Sequence, residues 1–356
     1  MVGGKGIVGF RQLLEACRDN KFVALGLGDN VVDGFKLSPI GRMLRNNLRD
    51  EFRRGEAGTA VYEGSSGIPM RENLSFVKET FDPYVPFGVT IEERFANGKV
   101  PLNDSLTLNL DHGHTLSCRY LINPSTSSEF MYKVQRQRKI WWMRYACDPG
   151  RFFISDPRQD ADTRVQSVAI KSRLGGEELT LEQLELFPAD AAALDEELGD
   201  FRIKLGRTSS KRIRPSMLRL RQCVEVATLQ IVLDAFESGG DASMRIHRKL
   251  APFKCGIVCL SDDPALMPEL RDLAKHLCNV LRKANLTVLD CSERNGGRSL
   301  AKQLHHLDSI AVPYCLLLRD QCLQNGLFQV RYRVTTLSET IHISDLPEYL
   351  LKIVTS

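Results

Sequence analysis

No stretch of the chain approaches the roughly 20 consecutive apolar residues that a membrane-spanning helix needs. The longest apolar runs, such as Ala311–Leu318, have the length of a strand, so no membrane partner is expected. No two of the ten cysteines (Cys17, Cys118, Cys147, Cys223, Cys255, Cys259, Cys278, Cys291, Cys315 and Cys322) form a CxxC pair. Several sit in apolar segments, where a free thiol behaves as a small hydrophobe. That pattern fits a reducing compartment and excludes a secreted disulfide scaffold. Also missing are a Walker loop, a zinc-protease helix and a GxSxG elbow. Gly26-x-Gly28 lacks the third glycine and the downstream acid of a dinucleotide fingerprint. There is no internal repeat and no long low-complexity tract.

What is present is a chain of 356 residues, 43% hydrophobic and 26% charged, with a net charge of +4. That length suits two or three domains. The charge is unevenly placed. Leu174–Phe201 carries nine acidic residues and no basic one, and Phe201–Arg221 carries eight basic residues and no acidic one. Adjacent segments of opposite sign point to oriented surfaces. The first 14 residues hold Lys5 and Arg11 and no acid, which is compatible with a mitochondrial leader.

Periodicity predicts helices over Phe10–Arg18, Ser38–Arg54 and Glu129–Ala146, with Pro39 in the first turn of the second. The segment 55–104, rich in Gly, Pro and polar residues, reads as loops around one short helix near Glu72–Thr80. Leu106–Leu110 and Thr115–Ile122 read as two strands around His112-Gly113-His114, and Val165–Ile170 and Ser216–Val224 as further strands. Thr180–Phe187 and Ala191–Leu198 read as acidic helices, and Ala227–Phe236 as a helix ending at Gly239-Gly240. After His247–Pro252, strands alternate with helices, as in a small α/β domain with a mixed sheet.

Four groups could carry chemistry. His112 and His114 would put two imidazoles on one face of a strand, but no third ligand is evident, so they read as structural or surface histidines. Cys255 and Cys259 read as packing groups. Trp141 and Trp142, beside Lys133, Arg136, Arg138, Lys139 and Arg144, read as core rather than as stacking platforms. The block Arg202, Lys204, Arg207, Lys211, Arg212, Arg214, Arg219 and Arg221 could serve phosphate backbones through counterion release, or could simply balance the acidic segment before it.

Three groups of motifs then carry a resemblance. Arg248-Lys-Leu-Ala-Pro-Phe-Lys-Cys-Gly-Ile-Val258 is similar to the "LAPxxV" first strand of the anticodon-binding domain in class II aminoacyl-tRNA synthetases. The preceding part resembles the synthetase catalytic domain, glycyl type. The segment from Pro215 through the helix 227–236 stands where the third class II motif lies. The motif's ATP-contacting arginine would fall in Cys223-Val-Glu-Val226, and valine cannot pair with a triphosphate. A more specific likeness covers most of the chain. Trp141-Trp-Met-Arg-Tyr-Ala-Cys-Asp-Pro149 with Phe152, Phe153 and Ser155-Asp156, the tail Asn325-Gly-Leu-Phe-Gln-Val-Arg-Tyr-Arg-Val-Thr-Thr336 with His342-Ile-Ser344, and Ser38-Pro-Ile-Gly41 before Leu44-Arg-Asn-Asn-Leu48 are similar to motifs of the mitochondrial DNA polymerase accessory-subunit family.

This resemblance implies an α+β chain: a degenerate class II synthetase-like antiparallel-sheet domain at 1–249, then an anticodon-binding-like domain with a mixed sheet at 250–356. It implies a non-catalytic processivity subunit of the mitochondrial matrix and nucleoid, without cofactor or metal. Its partners would be the polymerase catalytic subunit and double-stranded primer-template DNA. The alternatives are an active class II synthetase and a tRNA-binding module. The tail motif nominates Gly326, Leu327, Phe328, Arg331 and Arg333 as partner-binding residues. The basic block nominates Arg207, Lys211, Arg212, Arg214, Arg219 and Arg221 for DNA. The family's dimer-forming insert is reduced here to 55–104, echoed only by Arg71-Glu-Asn-Leu74, which speaks against a homodimer.

Overall fold

The computed structural model describes residues 9–18, 21–54, 58–239, 244–294 and 299–355. The leader-like stretch before Gly9 and the Gly240 stop lie outside them. Helix α1 (Phe10–Cys17) precedes the hairpin β1 (Val23–Leu27) and β2 (Val31–Leu37), then α2 (Pro39–Arg53). β3 (Ala60–Glu63), α3 (Met70–Phe81), β4 (Phe87–Pro101) and β5 (Thr107–Ile122) follow. Next come α4 (Ser127–Tyr145), β6 (Phe152–Ile154), β7 (Arg158–Gln159), β8 (Gln166–Leu174) and β9 (Glu177–Phe187). α5 (Ala193–Leu198), the short pair β10 (Ile203–Lys204) and β11 (Arg212–Ile213), β12 (Ser216–Cys223) and α6 (Val224–Gly239) complete the first part.

Among the described residues the large sheet has ten strands, along the path β1-β2-β5-β12-β9-β8-β6, with β4 pairing β5 and β3, and β7 pairing β8. Its pairings are antiparallel except β2 with β5 and β3 with β4. Residues on successive strand positions face opposite ways. On one face Leu116, Cys118 and Tyr120 of β5, Leu218 and Leu220 of β12 and Leu184 and Leu186 of β9 pack against α1, α2, α4 and α6. Ser38 caps α2, accepting from the Gly41 amide at 3.0 Å, and Leu44, Leu48 and Phe52 make its buried stripe.

The C-terminal part has β13 (Cys255–Cys259), α7 (Met267–Lys283), β14 (Val288–Asp290), α8 (Leu300–Ser309), β15 (Tyr314–Leu318), α9 (Gln321–Asn325), β16 (Leu327–Tyr332), β17 (Ser338–His342) and α10 (Leu346–Thr355). Its sheet runs β14-β13-β15-β16-β17, parallel at β13 with β14 and β15 and antiparallel beyond. This mixed sheet after an antiparallel-rich one is the α+β arrangement expected. Leu270, Leu277 and Leu281 of α7 bury against one face, as their spacing predicts.

Three expectations fail for identifiable reasons. Thr180–Phe187 belongs to a strand. The register passes from Ile170↔Glu182 to Lys171↔Thr180, so β9 carries a bulge at Leu181. The bulge shifts the burial phase, and the apolar positions 179, 181, 184 and 186 then mimic helical spacing. Second, 55–104 is mostly regular structure: β3, a longer α3 and the 15-residue β4. Third, β5 runs unbroken through Gly113. A Cβ there would lie 2.2 Å from the Phe95 ring, so the glycine makes room for a cross-strand aromatic instead of turning the chain.

Candidate nucleic-acid and partner interfaces

A buried charge pair sits on the inner face of the large sheet. The bulge in β9 turns Glu182 inward, where Arg138 Nε of α4 donates to it at 2.9 Å and Trp142 Nε1 at 2.8 Å. A second guanidinium bond, Nη2 to Oε1, closes the pair. The guanidinium lies 4.5 Å from the Phe52 centroid and 4.4 Å from that of Trp141. Trp141 and Trp142 are therefore core, as expected, and Arg138 is not a surface cation.

The opposite face presents Ser117 and Arg119 of β5, Arg219 and Arg221 of β12 and Glu185 of β9. The register sets Arg219 between Arg119 and Glu185. Two arginines side by side would repel, and α5 supplies the remedy. Glu197 accepts from Arg119 Nε at 2.9 Å and from Arg219 Nη1 at 3.0 Å. Glu185 accepts from Arg219 Nε and from Arg221 Nη2, both at 3.1 Å. Arg219 also stacks 4.6 Å from the Phe187 centroid. At the start of α6, Val226 is buried in the core, and Glu225 accepts from the His114 amide and meets His114 Nδ1, both at 2.9 Å.

Of the six proposed DNA contacts, Arg219 and Arg221 are thus occupied by Glu185, and Arg214 pairs with Asp195 of α5. Arg207, Lys211 and Arg212 differ. They sit on the β10–β11 hairpin, exposed, and make no ion pair with any described residue. Next to this hairpin stands Tyr84, and α3 adds the exposed Phe76 and Phe81, none of which the sequence reading singled out. Tyr84 bridges to Lys204 by its backbone, and Tyr84, Phe81 and Phe76 are 44%, 57% and 60% exposed. A short helix was expected here, but the sequence does not say which face of α3 stays uncovered, so its aromatics carried no signal.

The tail motif divides as well. Gly326 ends α9 at φ 69°, and a Cβ there would lie 2.7 Å from His342 Nε2. Phe328 is buried in the C-terminal core, and Leu327, on the other side of the same strand, is 39% exposed. Arg331 grips Asp308 of α8 through both ends of its fork, at 3.1 and 3.0 Å. Arg333 is buried and donates to the Ile246 carbonyl at 2.7 Å. Burial pushes its guanidinium down to about 10.

Between the two sheets other motif residues serve as joints. Asn47 of α2 donates to the carbonyls of Leu250 and Ala251, both at 3.0 Å. Lys254 Nζ donates to the carbonyls of Arg248, Lys249 and Ala251 at 3.1, 2.7 and 2.9 Å, and burial lowers that amine to about 8.

The family model described as an anticodon binding domain matches residues 254–353. The chain is 38% identical over 249 residues to the DNA polymerase subunit gamma-2, mitochondrial, of Drosophila melanogaster, covering 67% of this chain and 66% of that protein. It is 28% identical over 249 residues to the DNA polymerase subunit gamma-2 of Mus musculus, covering 65% of this chain and 51% of that one. A glycine–tRNA ligase of Chlorobaculum tepidum is 23% identical over 301 residues, covering 83% and 62%. The chain therefore spans about half to two thirds of the length of these curated relatives.

Proposed function

We propose, from the premise that the chain belongs to the DNA polymerase subunit gamma-2 family, that it is a non-catalytic processivity subunit of the mitochondrial replicative polymerase. It binds the catalytic subunit and strengthens that subunit's hold on primer-template DNA. The observation that carries this reading is the 38% identity to the fly subunit, one of several gamma-2 relatives.

The geometry supports it at two places. On the outer face of the large sheet Arg119, Arg219 and Arg221 are already held by Glu185 and Glu197, so they are not free to meet a triphosphate. On the neighbouring hairpin Arg207, Lys211 and Arg212, unpaired among the described residues, are free to meet a phosphate backbone, and exposed Tyr84 stands beside the hairpin. DNA contact falls to these three cations, with Arg214, Arg219 and Arg221 holding the hairpin's base in place. Partner contact falls to Leu327 on the exposed side of β16. Phe328 packs behind the strand, Gly326 turns the chain into it, Arg331 ties it to α8 and Arg333 ties its end to the Ile246 carbonyl. Residues 1–249 form the synthetase-like unit and 250–356 the anticodon-binding-like unit, and the complex with the catalytic subunit is one to one.

The glycine–tRNA ligase likeness favours one rival, an active synthetase or a tRNA-binding module. Primer extension by the catalytic subunit at moderate salt, with and without this protein, tests the first reading. Longer products per binding event are expected through slower dissociation. An unchanged length distribution, with ATP–pyrophosphate exchange on one amino acid or preference for tRNA over duplex DNA, favours the rival.

A further inference from the structure

The seam between the two sheets holds a cavity of about 570 Å³, whose walls include Arg245, Arg248, Arg333, Tyr314, Tyr332 and Ile353. That size suits a small-molecule site. Three guanidinium groups line it, and no acidic side chain does among the described residues.

The acids nearby are committed elsewhere. Asp308 takes both ends of the Arg331 fork. Asp234 lies 2.8 Å from Arg151 Nε and accepts from the Cys147 amide at 2.6 Å. Arg333 is 7% exposed, and only its Nη2 is satisfied, by the Ile246 carbonyl. Its Nε and Nη1 have no hydrogen-bond partner among the described residues. Buried donors without acceptors are costly, and a buried charge more so. The remaining wall mixes apolar and aromatic groups with Ser238, His247 and Thr335, and Tyr314 and Tyr332 meet edge to face at 5.4 Å.

We infer that this seam cavity binds a small organic phosphate, its phosphoryl group on Arg333 and Arg245 and its flat body against Tyr314, Tyr332 and Ile353. A dianion satisfies the orphaned donors of Arg333 in the fork geometry that guanidinium offers. Low local dielectric strengthens the contact. Arg245 and Arg248 lie in the segment between α6 and β13, Tyr314 in the small sheet and Arg333 in the turn after β16, so a bound ligand also braces the two parts against each other. The lining shares Arg333 with the tail motif but includes neither Leu327 nor any residue of the β10–β11 hairpin, so the site stands whether or not that assignment does.

Phenyl phosphate is the probe, titrated calorimetrically into the full chain in low-salt, phosphate-free buffer, with inorganic phosphate and phenol as controls. Saturable binding is expected, tighter than for either control. Its Kd should rise about tenfold in Arg245→Gln, which removes an exposed side chain with no ion pair to any described residue, and at least as much in Arg333→Gln. Arg207→Gln, on the remote hairpin, should leave it unchanged. Absence of saturable binding, or a Kd that moves equally in Arg207→Gln and Arg245→Gln, would overturn the assignment.

Discussion

The inner face of the large sheet and the seam between the sheets each bury an arginine, and they treat it in opposite ways. Arg138 has a carboxylate across a two-pronged bond, a tryptophan N–H on the same carboxylate and two aromatic rings beside it. Arg333 has one carbonyl and a cavity. The first is a closed structural unit whose every part depends on the others. The second keeps charge in reserve, and a fold does that where something else is meant to supply the anion.

The sharpest way to break this comparison is to remove one partner from each. Glu182→Gln leaves the Arg138 charge buried without its counterion, and a loss of about 3–5 kcal/mol is expected in urea unfolding. Arg333→Met removes a charge that no carboxylate of the described residues contacts directly, and its cost should stay within about 1.5 kcal/mol. Equal costs would mean that the seam is as closed as the interior.

A smaller effect belongs to the seam alone. Burial, reinforced by Arg248, Lys249 and Lys254, pushes the His247 imidazole down to about 4. Its ring packs edge-on to Tyr145 and accepts from the Lys249 amide at 3.2 Å. A base whose folded pKa is depressed binds fewer protons folded than unfolded, so its contribution is full above pH 6.5 and is lost as pH falls toward 4. Urea midpoints measured across that window should fall more steeply for the chain than for His247→Gln. Parallel curves would refute the effect.

The smallest effect on stability, with the largest on binding, is expected at the hairpin. Replacing Arg207, Lys211 and Arg212 together by Gln should shift stability by no more than about 0.5 kcal/mol. Duplex-DNA affinity should weaken, with a shallower salt slope. Arg219→Gln, by contrast, should cost stability, because it opens the Glu185–Arg219–Glu197 chain.

The sites were legible in the sequence to different depths. The basic block is visible as a run of charge, but a run does not say which members are free. Arg207 and Arg219 belong to the same block, and only the strand register and the approach of α5 separate them. In the tail motif the alternation of β16 was readable, so Phe328 inward and Leu327 outward follow from period two. That Arg333 turns back to the Ile246 carbonyl was not readable, since the two lie 87 residues apart. The exposed Phe76 and Phe81 of α3 were missed although a helix was expected there, because which helix face stays open depends on what packs against it.

The sequence alone determined what depends on neighbours along the chain: the helical stripes of α2 and α7, the Ser38 cap, the alternation of β12 and β16, and the change from antiparallel-rich to mixed sheet. Tertiary structure alone decided where each charge finds its partner. A bulge of one residue carries Glu182 to Arg138, α5 brings Glu197 to two arginines, and the seam withholds a carboxylate from Arg333. Such pairings are set by distances across strands and between layers, and local composition holds no record of them.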